Sequence, residues 1–195
     1  QIKVVVDNKE HSTEIANTDI GVVTTMTKHY VPEGVTLIHN SDIKENRFQF
    51  SEMTDFNGDI SNWDVSNVTD MTRMFQFCKS FNQPLNKWDV SKVEKVTQMF
   101  YKCTSFNQQL NNWDVSNVKY MNSMFYKCSS FNQPLNNWDV SNVTTMSYMF
   151  CDCISFNQRL NGWDVSKVFT MAYMFYDCES FNQSLNDWDV SYVTN

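Results

Sequence analysis

The sequence predicts an α/β solenoid, a stack of repeated units that each hold one short parallel strand and one helix. Three observations support this prediction: a repeat of fixed length, a strand-like pattern in one half of each repeat, and a helix-like pattern in the other. The repeat is 25 residues long and continues from about residue 51 to residue 195 without insertion or deletion. One aromatic column consists of Phe56, Phe81, Phe106, Phe131, Phe156 and Phe181. Another holds all six tryptophans of the chain, which are Trp63, Trp88, Trp113, Trp138, Trp163 and Trp188.

The strand is predicted from the first half of each repeat. In residues 131–155 the pattern L-x-x-W-x-V, with β-forming residues at its end, is made by Leu135, Trp138 and Val140. The helix is predicted from the second half, where apolar residues follow each other at the spacing of one helical face. In the same repeat these residues are Val143, Met146, Met149, Phe150 and Cys153.

A serine column marks the predicted start of each helix. Its members stand two residues before the first apolar helical position, where an N-cap residue is expected: Ser66, Ser91, Ser116, Ser141, Ser166 and Ser191. In one repeat Glu94 follows Ser91 by three residues, which completes the pattern of a capping box.

Three further columns are predicted to be structural. The corner asparagines are expected to form a ladder that satisfies buried main-chain groups: Asn57, Asn82, Asn107, Asn132, Asn157 and Asn182. Five cysteines are expected to form a small apolar spine rather than disulfides or a metal site: Cys78, Cys103, Cys128, Cys153 and Cys178. The tryptophans are expected in the core rather than on an exposed platform, with partners for their indole N–H groups in the asparagine-rich segment before them.

The repeat register divides the chain into three parts. Residues 56–195 are the regular repeats, and residues 31–55 are predicted to be a degenerate first turn, because most apolar columns continue through them. Residues 1–30 are predicted to be an N-terminal cap, with strands in IKVVV and IGVVTTM. The sequence stops in the middle of a turn at Asn195, so the C-terminal end is expected to be covered by further repeats or by another chain.

The motifs MFQFCKSFNQPLNKWDVSKV, MFYKCSSFNQPLNNWDVSNV and MFYDCESFNQSLNDWDVSYV resemble the repeats of BspA-type leucine-rich-repeat surface proteins. They are similar in particular to a repeat common in mycoplasma lipoproteins, some bacterial surface proteins and some large DNA viruses. The resemblance covers residues 50–195. It implies a right-handed leucine-rich-repeat-like solenoid, a role in adhesion or other protein binding, and an extracellular or cell-surface location. That family has no shared catalytic residues to carry over.

Composition and charge exclude several classes of function. The formal net charge is −7, whereas nucleic acids and anionic membrane surfaces require basic patches. No apolar run is long enough to span a membrane, and the first residues do not form a signal peptide. No catalytic triad, phosphate-binding loop or metal motif is present, and the only histidines, His11, His29 and His39, precede the regular repeats. The sequence therefore predicts no enzyme, no cofactor and no resident metal.

The aspartates of the W-D-V motifs are the predicted binding residues: Asp64, Asp89, Asp114, Asp139, Asp164 and Asp189. If the tryptophan and valine side chains point inward, the aspartate between them points outward, and stacking places the carboxylates in a row. Such a row needs compensation for the repulsion between like charges. Hydrogen bonds from nearby main-chain N–H groups are the favoured source, and basic side chains of a partner protein or a Ca²⁺ ion are the alternatives.

Specificity in a solenoid is expected at the positions that vary between repeats. Two such columns lie on the predicted outer face of the helix: Arg73, Gln98, Ser123, Tyr148 and Tyr173, and Phe77, Lys102, Lys127, Asp152 and Asp177. The second column changes from lysine to aspartate along the stack, and an ordinary solvated face is its favoured interpretation.

We therefore expect a non-enzymatic protein-binding or adhesion module that presents a repeat surface with an acidic row. The alternative is a structural or scaffold component of a larger assembly, such as a viral particle or a cell-surface layer. A metal-dependent enzyme that uses the aspartate row is the least favoured interpretation.

Overall fold

The computed structural model describes residues 50–195 and, near the N-terminus, the main chain of two short strands. Strand β1 (Val4–Val6) pairs with strand β2 (Lys9–His11) in an antiparallel sheet, with Val5 opposite Glu10. Strand β1 confirms part of the strand predicted in IKVVV. The strand predicted in IGVVTTM lies outside the described residues and stays a prediction.

The regular repeats form a stack of 25-residue units, which we call rungs. The complete rungs are residues 56–80, 81–105, 106–130, 131–155 and 156–180, and residues 181–195 begin another. In the first four complete rungs, four alternate main-chain N–H groups of one segment donate to carbonyl oxygens of the next rung. In the first rung the donors Met71, Arg73, Phe75 and Phe77 bond to Lys95, Thr97, Met99 and Tyr101 at 2.7–3.0 Å. Isolated parallel bridges follow the same direction through Asp70, Lys95, Tyr120, Thr145 and Thr170.

The predicted fold class, an α/β solenoid with a strand and a helix in each turn, is wrong. The described residues contain no helix, and within residues 50–195 the β-type pairing is limited to isolated bridges. The leucine-rich-repeat-like turn that the resemblance implied is therefore also absent from this range. In residues 71–78, where the apolar spacing predicted a helix, main-chain N–H groups close successive β-turns onto the residue three positions earlier. A helix would direct them to the residue four positions earlier.

Left-handed residues explain why these turns do not propagate as a helix. Each complete rung has two non-glycine residues with φ between 53° and 64°, at the third position of a turn as in type II turns. They are Arg73, Phe77, Gln98, Lys102, Ser123, Lys127, Tyr148, Asp152, Tyr173 and Asp177. The left-handed conformation costs an L-residue about 1–2 kcal/mol. In the first four rungs the N–H group of each such residue donates to the following rung, and this helps to offset the cost.

The turns reproduce the apolar spacing of a helix. A β-turn brings residues i and i+3 close together, so overlapping turns repeat spacings of three and four residues. In the first rung Met71, Met74, Phe75 and Cys78 are all fully buried. The apolar pattern therefore identified the buried residues correctly but not the local structure that buries them.

The predicted strand is also a sequence of turns. The N–H of Trp138 donates to the carbonyl of Leu135 at 3.1 Å, and that of Val143 donates to Val140 at 2.8 Å. These bonds fold the L-x-x-W-x-V segment back on itself, so it contributes no extended strand.

The predicted helix caps are wrong for the same reason. The N–H of Ser141 donates to Oδ1 of Asp139 at 3.0 Å, and the other members of the serine column repeat this bond. Glu94 completes no capping box; its carboxylate lies 3.0 Å from the ammonium group of Lys119 in the next rung.

Two stacked columns of phenylalanine form the centre of the core. Ring centroids are 5.5–5.7 Å apart in one column, Phe50, Phe75, Phe100, Phe125, Phe150 and Phe175. They are 5.6–6.0 Å apart in the other, Phe56, Phe81, Phe106, Phe131, Phe156 and Phe181. Rings of the two columns also stack on each other at 4.0–4.3 Å. Each such pair contributes about 0.5–1.5 kcal/mol beyond its buried area.

The tryptophans lie beside these columns, which confirms that they belong to the core. All but Trp188 are buried. From Trp88 onward each indole N–H donates to the main-chain carbonyl 28 residues earlier, at 2.8–3.0 Å. The acceptors are the carbonyls of Ile60, Leu85, Leu110, Leu135 and Leu160, which lie in the asparagine-rich segment of the preceding rung rather than in the segment directly before each tryptophan.

The cysteine spine and the asparagine ladder are confirmed. Each thiol of the spine donates to a phenylalanine carbonyl 28 residues earlier at 2.8–2.9 Å. Each asparagine side-chain oxygen, from Asn57 to Asn157, accepts the main-chain N–H of the asparagine in the next rung at 2.9 Å. Among the described residues no buried side-chain nitrogen or oxygen lacks a partner.

The described stack has an end on each side. Residues 50–55 continue it before the first rung: Phe50 stacks on Phe75 and donates its N–H to Met74 at 2.8 Å. The rest of the degenerate turn predicted at residues 31–55 lies outside the described residues. In residues 181–195 side chains that are buried in other rungs are partly exposed, and Val190 is 51% exposed.

Replacing Ser123 by glycine is expected to raise the free energy of unfolding. Ser123 has a φ of 54°, which glycine adopts without a steric penalty. The larger entropy of glycine in the unfolded chain offsets part of the gain from removing the left-handed strain. The net gain in stability is therefore expected to be about 0.5–1 kcal/mol. Ser130→Gly is the matched control: this exposed serine is not left-handed, so glycine should lower stability. Urea denaturation would measure both variants, and equal losses of stability would contradict the left-handed turn.

Candidate binding surfaces

The predicted binding aspartates occupy equivalent exposed positions in successive rungs, which are Asp64, Asp89, Asp114, Asp139, Asp164 and Asp189. Oδ1 of each carboxylate accepts the main-chain N–H of the serine two residues later, at 3.0–3.1 Å. The local hydrogen bond favoured by the sequence is therefore confirmed. It forms an Asx-type turn that fixes each carboxylate against its own rung.

These hydrogen bonds stabilise the charged form of the carboxylates. Hydrogen bonding to the serine lowers the pKa of five of them: Asp64, Asp89, Asp139, Asp164 and Asp189. The serine hydroxyl has the larger effect on the pKa, and the serine N–H has the smaller one. Neighbouring aspartates act in the opposite direction, since Asp89 raises the pKa of Asp64 and Asp164 raises that of Asp139. The hydrogen bonds outweigh this repulsion, because each of these pKa values is lowered overall.

The row is not purely acidic. Lys92 lowers the pKa of Asp64 and Asp89, and Lys167 lowers that of Asp139 and Asp164. Both lysines are held beside the row, with Nζ of Lys92 donating to Asn67 and Nζ of Lys167 donating to Asn142 at 2.8 Å. The chain thus supplies part of the compensation that a basic partner or a cation would otherwise provide.

The described residues do not assemble the usual groups of a metal site. In this part of the chain no three His, Cys, Asp or Glu side chains converge as metal ligands would. Burial raises the pKa of the Cys78 and Cys151 thiols to about 12 and that of Cys178 to about 11. A thiol with such a pKa is protonated at neutral pH and is a poor nucleophile. No helix that could cross a bilayer is found among the described residues.

An exposed aromatic strip crosses the face formed by the left-handed turns. It consists of six rings that contact one another in order, with centroids 4.6–6.4 Å apart: Phe77, Tyr101, Tyr126, Tyr148, Tyr173 and Tyr176. The first three rings are half-buried, whereas Tyr148, Tyr173 and Tyr176 are 39%, 58% and 54% exposed. The strip therefore becomes more accessible toward its C-terminal end.

The charged neighbours of the strip change along its length. Nζ of Lys102 lies 5.0 Å from the ring centroid of Phe77 and 5.4 Å from that of Tyr101. Nζ of Lys127 lies 5.5 Å from the centroid of Tyr126, so both lysines form cation–π contacts. In the next two rungs the equivalent positions hold the aspartates Asp152 and Asp177.

A polar groove lies in another part of the stack. It is open, has a volume of about 320 Å³ and is lined by Pro84, Asn86, Asn107, Gln108, Gln109 and Gln133. Nε2 of Gln133 donates to Oδ1 of Asn107 at 3.0 Å, and Nε2 of Gln108 donates to Oδ1 of Asn82 at 3.1 Å. The groove therefore adjoins the asparagine ladder, and the side chains of Asn107, Gln108 and Gln133 already have partners within the chain.

The sequence was compared with known families, curated proteins and solved structures. The profile of one family, described as "Mycoplasma protein of unknown function, DUF285", matches residues 3–134 and 108–195. The chain belongs to this family. No curated protein and no solved structure matched it. Membership of DUF285 confirms that this is a repeat protein of the broad kind that its motifs indicated, and the family description assigns no function.

In this DUF285 chain the sequence located the aspartate row but missed the aromatic strip. The signal was present as tyrosines at positions 101, 126 and 176 of one column and at positions 148 and 173 of another. The sequence pattern assigns the second of these columns to the outer face of a predicted helix and does not single out the first. The turns instead bring them together across rungs, so that Tyr126 and Tyr148 contact each other at 6.4 Å.

The aspartate row is expected to make folding sensitive to acid. Hydrogen bonding lowers the pKa of Asp139 from its ordinary value of 3.8. The contribution of Asp139 to the free energy of unfolding is therefore complete above that pKa value. It is lost as the pH falls through the lower pKa of the folded state. The free energy of unfolding, measured by urea denaturation between pH 7 and pH 2, should fall most steeply below about pH 4.

Two variants separate the hydrogen bond from the charge. Asp139→Ala removes the acceptor and should cost about 0.5–1 kcal/mol at pH 7. Asp139→Asn keeps an acceptor oxygen for Ser141, so it should cost less and should flatten the acid dependence. Equal costs for the two variants, or an unchanged pH profile, would show that the carboxylate is not engaged as described.

Proposed function

We propose that the chain is a non-enzymatic protein-binding module, with the surface or adhesion role that its resemblance to BspA-type repeats implies. The observation that carries this proposal is the exposed aromatic strip. Contiguous exposed apolar surface is uncommon on soluble proteins and marks sites of interaction. Tyrosine is also enriched among the residues that dominate binding energy at protein interfaces.

The strip is better suited to recognition than the aspartate row. Each aspartate of the row is hydrogen-bonded within its own rung, and the same bond repeats in every rung. The row therefore offers a partner little that distinguishes one rung from another. The strip differs from rung to rung in both its rings and its charged neighbours. Such variation on a constant scaffold is how repeat proteins present specific binding surfaces.

The backbone under the strip supports preorganised binding. Tyr148 is left-handed with a φ of 59°, and its N–H donates to the carbonyl of Ala172 at 2.8 Å. The ring of Tyr148 stacks on that of Tyr173 at 5.1 Å. Tyrosine has few rotatable bonds, so holding these rings in place leaves little entropy to be lost when a partner binds.

The raised pKa values of the thiols support the non-enzymatic part of the proposal. In addition, the described carboxylates have lowered rather than raised pKa values wherever a shift is resolved, which does not suit general acid catalysis at neutral pH.

A peptide array tests the proposal. The array carries immobilised peptides of varied charge and apolar content and is probed with the wild-type chain and with a Tyr148→Ser, Tyr173→Ser double variant. The wild-type chain should bind a subset of peptides, and the double variant should bind the same peptides at least about tenfold more weakly. Tyr192→Ser is the control, because Tyr192 is 61% exposed but lies outside the strip. Failure to bind any peptide, or an equal loss in the control, would contradict the proposal.

A further inference from the structure

We propose that the C-terminal end of the aromatic strip, formed by Tyr173, Tyr176 and Asp177, binds an arginine side chain presented by a basic segment of a partner protein. This inference rests on the proposed binding function and names the chemistry of the partner.

The chain contains an internal template for this contact. In the second and third rungs the strip is covered by the chain's own cations, since Lys102 lies over Phe77 and Tyr101 and Lys127 lies over Tyr126. Lys127 also pairs with a carboxylate, because its Nζ is 3.7 Å from Oδ1 of Asp152. A cation beside this strip is thus held by an aromatic ring and an aspartate together.

In the fifth rung a carboxylate takes the place of the cation, whereas the carboxylate that pairs with Lys127 belongs to the following rung. Tyr176 stands at the position of Tyr126, and Asp177 stands at the position of Lys127, two rungs later. Among the described residues no lysine or arginine lies over the ring of Tyr173 or Tyr176, and none pairs with Asp177. A cation from another molecule would meet here the same two kinds of group, a tyrosine ring and a carboxylate, that hold Lys127 in the third rung.

The two tyrosines form a corner that suits a flat cation. Their ring centroids are 5.8 Å apart, and the ring planes are inclined by 73°. Both side chains are more than half exposed, and Asp177 is exposed beside them. The left-handed backbone at Tyr173 and Asp177, with φ of 55° and 53°, gives these positions the same main-chain conformation as in the lysine-bearing rungs.

Arginine fits this corner better than lysine or a sugar. A guanidinium group stacks flat on an aromatic ring while its edge donates two hydrogen bonds to a carboxylate. A neutral sugar would use the rings but leave the charge of Asp177 without a counterpart. The net charge of −7 would also draw a basic segment toward the chain over longer distances.

The test uses a short capped peptide of alternating glycine and arginine, titrated by calorimetry against the whole chain at constant salt. Matched peptides replace arginine by lysine or by citrulline, which has nearly the same shape without the charge. The arginine peptide should bind most tightly and the citrulline peptide most weakly. Equal binding of the arginine and citrulline peptides would overturn the proposal.

Four variants locate the site. Asp177→Lys should weaken binding of the arginine peptide by at least about fivefold, because it places the chain's own cation beside Tyr176 as at Lys102 and Lys127. Asp187→Lys changes the net charge equally at an exposed position where Lys87 occurs in another rung, so it should have a much smaller effect. Tyr176→Ser should weaken binding about two- to fivefold, whereas Tyr176→Phe keeps the ring and should not.

The outcomes separate this inference from the proposed function. Equal effects of Asp177→Lys and Asp187→Lys would reduce the contact to unspecific charge attraction and overturn the inference. Binding of other peptides through Tyr148 and Tyr173, with no binding of the arginine peptide, would also overturn it while leaving the proposed function intact. Circular dichroism of every variant would establish that each still folds. Asp177→Lys is expected to fold because lysine occupies the equivalent turn position in two other rungs.

Discussion

The rest of the structure depends on one constraint: the buried polar groups that the turns of a rung leave unpaired are satisfied by the rung beside it. Main-chain N–H groups reach carbonyls 24 residues later, asparagine oxygens accept N–H groups 25 residues later, and indoles and thiols donate to carbonyls 28 residues earlier. A single inserted residue would shift out of register all the pairs that span the insertion, which join one rung to its neighbours. Leaving such buried groups without partners costs about 1–3 kcal/mol each, which explains why the period never varies.

This constraint also allows a rung to dispense with regular secondary structure. Left-handed residues such as Gln98 and Lys102 are unfavourable locally, but their N–H groups are held by the carbonyls of Asn122 and Tyr126. The stacked phenylalanine columns add an apolar contact at every step. Side chains outside these contacts are free to differ, and the aromatic strip with its changing charges occupies such positions.

The sequence predicted the repeat register, the buried columns, the asparagine ladder and the local bonding of the aspartates. It did so because each column has one chemical character that is repeated many times. It failed on secondary structure because Met71, Met74, Phe75 and Cys78 have the spacing of a helical face, and consecutive turns produce the same spacing. It missed the strip because contact between Tyr126 and Tyr148 depends on the turn conformation, and no linear pattern joins them.

The central claim is that each rung is a chain of turns locked to its neighbours, and solution NMR tests it most directly. The nuclear Overhauser spectrum should show a strong intraresidue contact between HN and Hα at Ser123 and Lys127, as left-handed residues give, and a contact between the Trp138 indole proton and Leu110. A continuous series of contacts between residues four positions apart across residues 118–128, with no contact from Trp138 to Leu110, would instead indicate a helix and contradict the account.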